Sequence, residues 1–164
     1  MSMYSIKSVA LTLLLTSLPR VISQGTVIPA VCHTGVMMVA LPGTGIANGT
    51  YGVSQSLATS TVNAIPDSGM MSWDYDRFFP TGETQYFVPE IENATPQLLL
   101  AVQTYMDLCP NTPIVLHGYS EGAVVVMNLL CGASSPGFAP TNPLSSSYSN
   151  QSKLNSPLSF FVVC

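Results

Sequence analysis

One short stretch carries residues whose types and spacing suit chemistry: Gly118-Tyr119-Ser120-Glu121-Gly122. It lies between an apolar run, Pro113 to His117, and a helix-compatible run, Gly122 to Cys131. A strand that turns sharply into a helix leaves no room for side chains beside the turn, so glycine is needed on both flanks. The residue at the apex is thereby lifted to a sharp, exposed point. A serine there can attack an acyl carbon and hold it as a covalent intermediate. The next backbone N–H, that of Glu121, sits at a helix N-terminus and can donate to an oxyanion with the helix dipole behind it. A glycine turn with an incidental serine is the rival reading, and the strand before and helix after favour the nucleophile.

Alternating elements must position this turn. Val36 to Leu41 is a continuous apolar run between Gly35 and Pro42-Gly43, which predicts a strand buried on both faces of a parallel sheet. A Gly- and Asn-rich loop follows from Gly43 to Gly52, and Tyr51 to Asn63 is open between helix and strand. Pro66 to Pro89 reads as an irregular insertion rich in aromatic residues, among them Trp73 and Phe87; these fit loop packing better than a substrate platform. Thr95 as N-cap and Pro96 at the first helical position predict a helix ended by Cys109-Pro110. Pro113 to His117 is the strand before the turn, and Gly132 caps the helix after it. That second helix is apolar nearly all round and must be buried. Residues 132–159 are loop-like, and Ser159 to Cys164 resembles a further strand. Strand–helix alternation predicts a parallel α/β sheet.

The stretch Cys109 to Gly122 (CPNTPIVLHGYSEG) resembles the cutinase and acetylxylan esterase family of secreted serine esterases. The resemblance implies a three-layer α/β/α hydrolase fold on a central parallel sheet, over about residues 31 to 149. It implies carboxylic ester hydrolysis through an acyl-enzyme on Ser120. Members typically show Gly-Tyr-Ser-Gln-Gly, and this chain has Glu121 where Gln is usual. Leu41-Pro42-Gly43-Thr44 resembles the family's oxyanion loop, which makes Thr44 the second oxyanion donor beside the Glu121 N–H. Cys32 and Cys109 match the family's first disulfide. Cys131 and Cys164 are a further candidate pair.

The family takes its acid and histidine after the serine, in the order Ser, acid, His. After Ser120 the sequence holds one acid, Glu121, and no histidine. His33 and His117 are the histidines of the chain. His117 precedes the elbow on an apolar strand and reads as a core residue. His33 lies far from the serine in the chain and would need an unusual route to it. The domain 24–164 is therefore expected to be incomplete at its C-terminus, with 150–164 doubtful as part of it. Three readings follow: a serine esterase whose base and orienting acid come from sequence not shown, a non-catalytic secreted relative that binds a polymer or surface, and a truncated gene product.

Composition and targeting set the surroundings. The 164 residues hold 4 Lys+Arg and 8 Asp+Glu, and charged residues are 7% of the chain, against about a quarter in ordinary domains. So few basic residues exclude a nucleic-acid footprint. Apolar residues, at 47%, suffice for one core. Residues 1–23 follow the secretory pattern, with Lys7, the run Val9 to Leu18, and a cleavage point before Gln24. No later run has the length of about 20 apolar residues that a membrane span needs. After cleavage Arg77 and Lys153 stand against eight acids, a formal charge of −6. Sequons at Asn48, Asn93 and Asn150 agree with secretion, although Pro96 weakens the second. No Cys-x-x-Cys or His pair gives metal-ligand spacing, so neither a metal nor an organic cofactor is expected. The expected product is an extracellular monomer acting on an ester of a plant or cell-wall polymer, such as cutin or acetylated xylan.

Overall fold

The computed structural model describes residues 26–77, 84–133 and 136–149. The elements run β1 (Met37–Leu41), α1 (Gln55–Ala64), β2 (Gly69–Ser72), α2 (Phe87–Leu108), β3 (Ile114–Gly118), α3 (Glu121–Cys131) and a single turn α4 (Ser146–Ser149). The three strands form one parallel sheet in the order β2-β1-β3. Met37 pairs with Gly69 on one side and Ile114 on the other, so the strand starts lie level.

All five residues of β1 are buried, as a central parallel strand requires. Successive side chains point to opposite faces. Met37, Val39, Leu41, Ile114, Leu116 and Met71 join the main core with Ile91, Leu98 and Val102 of α2 and Val125, Val126 and Leu129 of α3. The other face of the sheet is covered by α1, which packs on β1 and β2 through the buried Ala58. The result is helix, sheet and helix in three layers, the α/β class that the alternation implied.

Two expectations are corrected. The described parts of 66–89 are not an irregular insertion: Gly69–Ser72 form β2, and α2 begins at Phe87. The strand Gly69-Met70-Met71-Ser72 has four residues, none β-branched, and one large buried side chain, Met71, so it carries almost no strand signal. The long helix does not start at Thr95-Pro96. It begins at Phe87, eight residues before Thr95, and runs through Pro96. Ile91, Ala94, Leu98 and Val102 continue one buried stripe across the proline, and that packing outweighs the hydrogen bond that Pro96 cannot donate. The Thr95 hydroxyl is turned back onto the Ile91 carbonyl at 2.8 Å and caps nothing.

The open segment 51–63 is helical: a tight turn at Gly52–Ser54 leads into α1. The helix after the elbow begins at Glu121 and stops at Gly132, whose φ of 77° is the left-handed value that suits glycine. Its burial is less complete than its composition suggested, because Met127 is 43% exposed. Trp73 and Tyr75 stack at 6.0 Å in the core, which is loop packing; Phe78 and Phe79 lie outside the described residues. The candidate leader 1–23, the run 159–164, Asn150 and Cys164 lie outside them too. Among the described residues no helix is long and apolar enough to cross a membrane.

A disulfide joins Cys32 to Cys109, 77 residues apart. It ties the segment before β1 to the end of α2, at the N-terminal edge of the sheet. Cys131 is exposed at the end of α3.

Candidate active site

Ser120 sits at the C-terminal end of β3, where the chain turns into α3. Its backbone has φ 53° and ψ −119°, a conformation that L-residues rarely adopt. The neighbouring glycines show why the chain accepts it. A Cβ on Gly118 would lie 2.4 Å from the Gly122 carbonyl oxygen, and one on Gly122 would lie 2.2 Å from the Leu41 carbonyl oxygen. Both obstacles are backbone, so neither can rotate away. The Tyr119 N–H donates to the Leu41 carbonyl at 3.0 Å and fastens the elbow to the end of β1. The Ser120 carbonyl accepts the Ala123 N–H at 3.0 Å, which starts the helix directly at Ser120.

The loop after β1 closes on the same point. A Cβ on Gly43 would come within 2.9 Å of the Ser120 Cβ, so this glycine lets the loop lie against the serine. Thr44 follows, and its hydroxyl donates to Glu121 Oε2 at 2.7 Å. The structure thus brings Thr44, which only the family resemblance had singled out, to the side chain of Glu121 beside Ser120. It also shows that the Thr44 hydrogen is directed at a carboxylate.

Two residues that the sequence did not single out bear on this site, and the first of them holds the loop. Arg77, fully buried, donates from Nε to the Ile46 carbonyl at 2.8 Å and from its terminal nitrogens to Ala47 at 3.1 Å and Tyr75 at 3.2 Å. Its own carbonyl accepts the Gly45 N–H at 3.1 Å. The guanidinium also lies 5.2 Å over the Tyr75 ring, whose hydroxyl donates to the Pro42 carbonyl. The available signal was scarcity: Arg77 is one of only four basic residues in the chain. The other is Glu90 on the first turn of α2, which shares the buried space with Glu121. Burial raises the Glu121 carboxyl above the usual carboxylate range, although the Thr44 hydroxyl and the Glu90 side chain pull it back. Burial, then the Glu121 charge, push Glu90 up to about 7. Nothing in the local sequence marks Glu90, because its partner is 31 positions away.

The histidines do not approach Ser120. His117 is on β3, on the face opposite Leu116, and is 8% exposed. Burial lowers its pKa, so the ring stays neutral, and its Nδ1 has no partner. His33 lies before β1, where its N–H donates to the Thr112 hydroxyl at 2.9 Å and its Nδ1 is 3.6 Å from Asp67. That is the opposite end of the strands from the elbow, roughly 15 Å away for a five-residue strand. Among the described residues no group of three His, Cys, Asp or Glu could hold a metal ion.

Comparison with known proteins gives a consistent set of relatives. The family pattern described as Cutinase matches residues 31–154. Cutinase 11 of Verticillium dahliae is 50% identical over 42 residues, 26% of this chain and 14% of that protein. Acetylxylan esterase of Hypocrea jecorina is 38% identical over 56 residues, 34% of this chain and 18% of that protein. The solved catalytic core domain of acetyl xylan esterase from Trichoderma reesei superposes with a TM-score of 0.62 at 26% identity, covering 72% of this chain. A second acetylxylan esterase structure, at 0.90 Å resolution, gives 0.63 and covers 74%. The chain spans 59% and 60% of those two solved chains.

Proposed function

The chain belongs to the cutinase family, and on that premise we propose that it is the nucleophile-bearing part of a secreted carboxylic ester hydrolase. The observation that carries the reading is the strained backbone of Ser120 at the junction of β3 and α3, with Gly43 packed against it. The Ser120 hydroxyl adds to an ester carbonyl, the alcohol departs with a proton, and water releases the acid from the acyl-enzyme. The Glu121 N–H and Thr44 are the oxyanion donors. Neither His33 nor His117 is placed to take the serine proton. Base and orienting acid would therefore come from outside the described residues. Cutin and acetylated xylan are the substrate classes that the relatives' names support. The Cys32–Cys109 disulfide supports an oxidising, extracellular location. Asn48 and Asn93 are exposed and open to glycosylation, with Asn93 inside α2. We take the product to be a monomer with no cofactor.

A second reading has an observation of its own. With His33 at the far end of the strands and His117 buried in β3, the described residues supply a serine without a base, which suits a non-catalytic relative that binds a polymer. One experiment separates the two. The protein from its native source is treated with a fluorophosphonate probe and its intact mass is measured. Phosphonylation at Ser120 supports the esterase; a native product that stays unlabelled at all pH values rejects it.

A further inference from the structure

The mechanism above leaves two buried carboxyl oxygens unexplained. Glu121 is fully buried, and its Oε1 has no partner, while Oε2 accepts from Thr44. Glu90 Oε2 is buried and has no partner either. The two carboxyl groups interact with one another, and as anions neither could donate to the other. A proton between them turns two orphaned acceptors into one O–H···O hydrogen bond. The groups around them explain how such a pair survives. Arg77 attracts Glu121, Asp76 opposes it, and the Tyr75 phenol, itself raised by burial, is neutral.

We propose that Glu90 and Glu121 form a proton-sharing pair that sets which way the Thr44 hydroxyl points, making Glu121 a positioning residue for the oxyanion site through its side chain as well as a donor through its backbone. The argument is a count of hydrogens. Thr44 has one hydroxyl hydrogen. While Glu121 is a carboxylate, that hydrogen is committed to Oε2, and the hydroxyl offers an incoming oxyanion only lone pairs. The proton shared with Glu90 lies on the Oε1 side and leaves Oε2 an acceptor; a second proton, taken up on Oε2, gives an O–H that donates to Thr44 Oγ1, and the Thr44 hydrogen is then free to turn toward the oxyanion. The doubly protonated pair is thus the state with two oxyanion donors, and the singly protonated pair has one. This inference rests on the reading of Thr44 as an oxyanion donor.

The test reads the pair without relying on turnover. The Glu side-chain carboxyl carbons and the Thr44 methyl group are followed by NMR from pH 4 to 9. The expected result is that the Thr44 methyl shifts with the carboxyl pair, that Glu121→Gln removes this movement, and that Glu90→Gln carries it to lower pH. The wild-type titration alone decides if either variant fails to fold. Carboxyls that both titrate with ordinary midpoints, or a Thr44 signal that ignores them, overturn the proposal. Phosphonylation of Ser120 is measured separately over the same range. For a chain that reacts, the proposal expects at least a tenfold fall in rate as Glu121 ionises, absent in Glu121→Gln, and an unchanged wild-type rate overturns it. A chain that never reacts defeats the esterase reading, while the Thr44 titration still decides the pair.

Discussion

Replacing Ser120 by glycine should make the protein more stable while removing the hydroxyl of the proposed nucleophile. The φ of 53° and ψ of −119° at Ser120 force a Cβ into a region where a residue costs about 1–3 kcal/mol. Glycine lifts that cost but adds freedom to the unfolded chain, worth about 0.5–1 kcal/mol in the other direction. No capping bond is lost, because the serine side chain makes none at the start of α3. The net gain is about 1 kcal/mol, or about 3 °C in Tm for a domain of this size. Ser120→Ala is the control, since it removes the hydroxyl and keeps the strained Cβ. It should lie within about 0.5 kcal/mol of wild type, as an exposed substitution does. Urea unfolding of the three proteins, followed by circular dichroism, measures the difference. If Ser120→Gly is no more stable than Ser120→Ala, the elbow stores no strain and the reasoning fails.

Three further outcomes are expected. Replacing Cys32 and Cys109 by serine should cost about 4–5 kcal/mol, since the bond joins residues 77 positions apart, and a urea midpoint unchanged by the double variant would contradict this. Arg77→Met should cost about 3 kcal/mol by leaving the buried carbonyls around it short of donors, and it should open residues 43–50 to proteolysis. Glu90, raised from 4.5 to about 7, takes up a proton on folding, so its contribution to stability falls as pH rises from about 4.5 to 7. Discounted for the solvent that reaches this half-buried side chain, the loss is about 1–2 kcal/mol; Glu90→Gln should flatten that slope in pH-dependent thermal unfolding.

The elbow was legible because its constraint is local and steric. Gly118 and Gly122 face backbone atoms at 2.4 and 2.2 Å, and such contacts admit one residue type. β1 and β3 were legible for a related reason: strands buried on both faces read as apolar runs, and their expected bounds, Val36 and Pro113, differ by one residue from those observed. β2 was not, because an edge strand of Gly, Met, Met and Ser is held by its neighbour rather than by its own propensity. The start of α2 was misplaced because a good capping pair, Thr95-Pro96, competes with a buried stripe that begins at Ile91, and burial wins. Arg77 and Glu90 were illegible as site residues, since their roles depend on loops and helices distant in sequence.

The same contrast explains how the site is built. The serine's geometry is fixed from two sides by main chain: the Tyr119 N–H on the Leu41 carbonyl, and Gly122 against that carbonyl from α3. These contacts need only β1, β3 and the first turn of α3. The loop carrying Thr44 is fastened to a different part of the chain, through the Gly45 N–H on the Arg77 carbonyl. It is held by the guanidinium of Arg77, and Arg77 is carried by the chain leaving β2. The weakest strand of the sheet therefore positions Thr44, while the stronger pair positions Ser120 and the Glu121 N–H. A perturbation of β2 should disturb Thr44 before it disturbs Ser120. The charge beneath Thr44 then belongs to this softer half, because Glu90 comes from α2 and the arginine from the chain after β2, and only Glu121 is anchored to the rigid elbow.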